Sequence, residues 1–103
     1  MKIIYVPYPD EASAKKAAHT ILSQSLAGCC QLTLPVTSLY QWNQKIEQTQ
    51  EVILWLKTTD QRHSELCAWL QEHHPYDVPC VATLTAECNS SYQQWLNSAT
   101  SLT

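Results

Sequence analysis

The chain has 103 residues, a length that suits one domain over 1–103, and its 45% hydrophobic content is too high for a disordered polymer. Nine acids against six bases give a net charge of -3 with no block of like charge, so the sequence carries neither a nucleic-acid footprint nor a membrane-binding stripe. Apolar runs are only a few residues long, and the start "MKIIYVPYPDE" is too short for a signal-peptide core, so a cytoplasmic protein is expected.

The first predicted element is a short strand over Lys2–Val6, stopped by "PYPD". Asp10 is placed to cap the helix that follows, whose apolar stripe is Ala14, Ala17, Ala18, Ile21, Leu22 and Leu26. His19 lies beside that stripe and reads as a helix-surface residue. Gly28, the only glycine, is expected at the left-handed position that ends the helix. With one glycine, a Gly-rich phosphate-binding loop is excluded.

"CCQLTLPVTSLYQW" then alternates at Cys30, Leu32, Leu34 and Val36, the pattern of a strand, with a bulge or an edge expected at Pro35. "NQK" is a turn in which Asn43 best tolerates a positive φ. Glu51–Thr58 is a second strong strand, and the two are expected to form one long hairpin. Asp60 opens a second helix with an apolar face of Leu66, Cys67, Trp69 and Leu70, halted by Pro75. A strand from Val78 to Glu87 follows. A short terminal helix, capped by Asn89 or Ser90, is expected to bury Tyr92, Trp95 and Leu96.

The order β-α-β-β-α-β plus a C-terminal helix is that of an α+β, ferredoxin-like split βαβ sandwich, with two helices on one face of an antiparallel sheet. Hairpin strands of about 13 residues reach about 40 Å, whereas a first helix of about 17 residues covers only about 25 Å. The uncovered end carries Tyr40, Trp42 and Ile46, and a symmetric oligomer would pair its open edges.

Several motifs together resemble the divalent-cation tolerance proteins of the CutA family. They are Leu26, Ala27 and Cys29; Ser38, Tyr40 and Trp42; Lys45, Ile46 and Glu47; Glu51; Lys57 and Thr58; and His74, Pro75, Tyr76 and Pro79. "PDEASA" and the late Tyr92 and Trp95 extend the match over nearly the whole chain. The resemblance implies a homotrimer whose long hairpins pair between subunits. It also implies a non-enzymatic role in tolerance of copper and other divalent metals, and an arrangement similar to PII-type signalling proteins, which bind small ligands between subunits. Three positions depart from the family pattern: Cys80 stands where a Glu is usual, Val6 where some members have a Cys, and Gln44 where the hairpin turn has a Gly.

The densest chemistry lies in "HHPYDVPC". His73, His74 and Cys80 are ligand types for copper or zinc, but they number fewer than the four of a closed structural site. Neighbouring histidines at a helix end point about 100° apart, so the pair chelates poorly, and the alternative reading is a rigid turn. A second candidate is a cleft for a small anionic ligand, lined by Tyr40, Trp42, Glu47, Lys57 and Tyr76, with Lys57 as the anion partner. The alternative there is interface packing, with Lys57 paired to Glu47 or Glu51. Cys80, His74 and Asp77 would make only an incomplete nucleophilic constellation. The five cysteines, an odd number without CxxC, are expected as reduced thiols, and no cofactor is required.

Overall fold

The computed structural model describes residues 1–101. Its elements are β1 (Lys2–Tyr8), α1 (Glu11–Ser23), β2 (Cys29–Leu32), β3 (Val36–Trp42), β4 (Lys45–Thr58), α2 (Asp60–His73), β5 (Ala82–Thr85) and α3 (Ser90–Ala99). The sheet runs β2-β4-β1-β5, with β3 also on β4, and every pairing is antiparallel. This is the split βαβ arrangement, with the strands of its two halves interleaved. Strand alternation sorts the faces: Ile4, Val6 and Tyr8 of β1 and Val52, Leu54 and Leu56 of β4 are all buried in one cluster. Ala14, Ala17, Ala18 and Ile21 of α1 and Leu66 and Leu70 of α2 join that cluster, so both helices cover the same face.

Asp10 caps α1 as expected, its carboxylate accepting from the Ser13 N–H at 2.8 Å. The other end of α1 differs from the sequence reading. The left-handed residue is Ser25, with φ of 57°, and Gly28 has no positive φ. The Leu26 N–H reaches the Ile21 carbonyl at 3.0 Å and the Ser25 N–H reaches Leu22 at 3.1 Å, which is a Schellman ending. Buried Arg62 secures it from α2, donating to the carbonyls of Ser25 at 3.0 Å and Gln24 at 2.8 Å. Gly28 is small for a packing reason instead: a Cβ there would meet Leu96 Cδ1 at 2.7 Å and Ala99 Cβ at 3.3 Å.

The strand expected over Cys29–Trp42 breaks at Pro35 as anticipated. Leu32 faces Leu54 and Val36 faces Glu51, so Thr33, Leu34 and Pro35 oppose only Val52 and Ile53. That extra residue is a bulge. Thr33 spans it on both sides, its N–H donating to the Ile53 carbonyl and its hydroxyl accepting from the Ile53 N–H, each at 3.0 Å. Beyond the bulge β3 and β4 continue as a two-stranded ribbon in which residues 39–50 are all exposed.

Other boundaries shift. β1 runs on through Pro7 to Tyr8, and β5 keeps only Ala82–Thr85 of the expected Val78–Glu87, where it pairs with β1. The prolines at 75 and 79 leave the approach to β5 irregular. In α3 Leu96 is fully buried, but Trp95 is 48% exposed, so within one chain the terminal helix buries less than its sequence suggests.

Candidate functional site

Pro75 disfavours helical angles at the residue before it, and His74 accordingly leaves α2 in an extended conformation, with φ -78° and ψ 142°. This turns its ring back onto the end of β1. Nε2 donates to the Pro7 carbonyl at 2.8 Å, and Nδ1 accepts the Tyr76 N–H at 3.0 Å. The carbonyl only accepts and the amide only donates, so the proton sits on Nε2. The ring stacks on Tyr8 with centroids 4.4 Å apart, and the Tyr76 ring lies 4.8 Å away. Burial holds the His74 pKa below the usual histidine value, partly offset by the Pro7 hydrogen bond and the Glu51 charge. Tyr76 then donates its hydroxyl to Glu51 Oε2 at 2.8 Å. Burial first, and the Glu51 carboxylate second, push the Tyr76 phenol well above its ordinary pKa.

With both nitrogens engaged, the neutral His74 ring offers no lone pair to a metal. His73 is exposed at the end of α2, its Nδ1 donating to the Trp69 carbonyl at 2.9 Å and its ring stacked on Trp69 at 4.4 Å. Cys80 is an exposed thiol. Among the described residues no group of three or more His, Cys, Asp or Glu side chains is arranged to hold a metal. Within one chain, therefore, His73, His74 and Cys80 are not gathered into a coordination site, and the turn reading accounts for His74. The same two hydrogen bonds remove His74 as a general base for Cys80.

The cleft residues fall into two groups. Tyr40 faces Glu47 and Trp42 faces Lys45 along the ribbon, while Glu51 and Tyr76 join at its base, where the Tyr40 hydroxyl is near enough to influence Tyr76. Lys57 sits at the other end of β4, in register with Ile3 and Cys29, its ammonium 5.3 Å from the centre of the Tyr92 ring. Glu51 lies six positions back along the strand, about 20 Å, and Glu47 ten positions back, about 34 Å. One chain does not bring Lys57 to Tyr40, Trp42, Glu47 or Tyr76, and neither acid is its ion-pair partner among the described residues. Sequence reasoning overlooked Arg62, whose isolated charge in a helix gave no sign of burial. It also read Glu51 as a motif residue at the start of its strand and as an ion-pair candidate for Lys57, and missed the hydrogen bond by which it fixes the Tyr76 ring.

Comparison with known proteins bears on the whole chain. The family model described as CutA1 divalent ion tolerance protein matches residues 2–99. The chain is 38% identical over 98 residues to the divalent-cation tolerance protein CutA of Escherichia coli K12 / DH10B, covering 94% of this chain and 88% of that one. It superposes on CutA1 from Pyrococcus horikoshii with a TM-score of 0.92 at 35% identity, over 98% of this chain and 99% of that one. For CutA1 from Ehrlichia chaffeensis the TM-score is 0.94 at 28% identity, over 98% and 95% of the two chains.

Proposed function

The chain belongs to the CutA1 divalent ion tolerance family, and on that premise we propose that it acts in tolerance of divalent cations, copper included, as a non-enzymatic cytoplasmic homotrimer that contacts metal weakly. The observation that carries the weak contact is the full engagement of the His74 ring inside the fold. What remains near that turn is His73 Nε2 and Cys80 Sγ, both at the surface. Two such ligands suit a shared, exchangeable copper contact rather than a closed cage. The trimer is supported by the ribbon, whose apolar residues Leu39, Trp42 and Ile46 stay more than half exposed among the described residues.

Calorimetric titration of copper and zinc into the purified protein tests the metal contact. Binding in the micromolar to millimolar range, about 8 to 4 kcal/mol, that weakens in Cys80→Ser supports it. Nothing tighter than millimolar overturns it. Sedimentation tests the assembly separately, and a monomer at micromolar concentration refutes the trimer.

One observation favours a second reading, a PII-like regulatory module with a small anionic ligand between subunits. Lys57 has an aromatic partner but no carboxylate among the described residues, and only a neighbouring subunit's ribbon can bring Tyr40 or Glu47 to it. A thermal-shift screen of nucleotides and acidic metabolites tests this. Shifts that persist unchanged in Lys57→Ala eliminate it.

A further inference from the structure

A second pair of metal-ligand side chains lies on α2, away from the His73–Cys80 turn. His63 and Cys67 are four residues apart, so they share one helix face, the spacing at which two ligands on a helix grip one ion. Cys67 Sγ lies 3.4 Å from His63 Nε2. Thr83 of β5 closes the third side, its Oγ1 2.8 Å from the same Nε2 and 3.9 Å from Sγ. Among the described residues β5 pairs only with β1, so Thr83 sits at an open sheet edge. His63 and Cys67 are both half-buried and therefore reachable from solvent.

The spacing of these atoms matches coordination geometry. Bonds of about 2.3 Å to thiolate and about 2.0 Å to imidazole, at a tetrahedral angle, put sulfur and nitrogen about 3.5 Å apart. The observed 3.4 Å already matches that sulfur–nitrogen spacing, and binding has to displace the Thr83 hydroxyl from Nε2, where it sits at 2.8 Å. We propose that His63 Nε2 and Cys67 Sγ form a bidentate site for a zinc-class divalent cation, with Thr83 Oγ1 facing a third position and water filling the rest. Binding takes the metal onto the Nε2 lone pair and the thiolate, and the thiol proton leaves to solvent. With two strong ligands the site is open and exchanges its ion. It does not depend on the His73–Cys80 contact.

The experiment is a Co(II) titration of the full chain, read by the thiolate-to-cobalt charge-transfer band and by proton release into weakly buffered solution. The expected result is a band that persists in the His73→Ala/Cys80→Ser double variant and disappears in Cys67→Ser. His63→Gln should weaken the apparent affinity at least tenfold. Circular dichroism of each variant establishes that it is folded, and His63→Gln serves as the test if Cys67→Ser is not. No band in the wild type, or a band that survives Cys67→Ser, overturns the proposal. A band lost in the double variant but kept in Cys67→Ser assigns cobalt to His73 and Cys80 and also overturns it.

Discussion

A neutral histidine with both ring nitrogens engaged is a pH-sensitive fastening, and the direction of its effect follows from linkage. The folded-state pKa of His74 lies below the ordinary value. Above the unfolded pKa of about 6.5 the ring is neutral in both states, and its contribution to stability is fully present. As pH falls through that value the unfolded chain takes up the proton first, and stability declines until the folded pKa is reached. Urea unfolding of the wild type should therefore show a falling midpoint between about pH 8 and pH 5, with part of that slope absent in His74→Phe. The same substitution keeps an aromatic ring beside Tyr8 but leaves the Pro7 carbonyl and Tyr76 N–H unpaired, at a cost of about 2–4 kcal/mol. The histidine, its proline and its tyrosine were legible in the sequence. Pro7, 67 residues away from His74, was not, because a backbone carbonyl carries no sequence signature.

At the scale of elements, the turn of the long hairpin stores strain. Asn43 and Gln44 both have positive φ, 52° and 65°, the pattern of a two-residue type I′ turn, with Trp42 facing Lys45 across it. Asparagine adopts that conformation more readily than glutamine, so Gln44 carries the larger backbone cost. Gln44→Gly should stabilise the chain by about 0.5–1 kcal/mol, read as a rise of a few degrees in melting temperature. A lower melting temperature would mean that the Gln44 side chain contributes more than its backbone strain costs. Sequence patterning located this turn and the Pro35 bulge because both depend on local backbone chemistry. It misplaced the end of α1 for the complementary reason: Ser25 takes the left-handed position where the Arg62 guanidinium, from a different helix, holds the last carbonyls.

The whole molecule measures 46 × 24 × 23 Å, and the long axis reflects the ribbon. The 14 residues of β4 reach about 48 Å, while the 13 residues of α1 span about 20 Å, so the helical layer stops well short. Leu39 is 65% exposed, Trp42 54% and Ile46 77%. A lone two-stranded ribbon is marginally stable in water, and apolar side chains on both of its faces favour coverage by other copies. Leu39→Glu with Ile46→Glu is expected to lower the sedimenting mass while far-UV circular dichroism keeps the helical signal. Unchanged mass would show that the ribbon is not what holds copies together.

The sequence by itself determined the order of elements, most of the two buried helix stripes and the alternating core strands, because these follow from periodicity and local backbone preference; in the first stripe Leu22 is 41% exposed and Leu26 lies past the end of α1. It also determined the family, through motifs spread over the whole chain. Only the tertiary structure decided what individual polar residues do. It turned His74 inward onto Pro7, set Lys57 at the far end of β4 from Tyr76, buried Arg62, and placed Thr83 beside His63 and Cys67. Each of these outcomes depends on a contact between residues distant in sequence, formed when strand pairing and helix packing fix where each side chain lies.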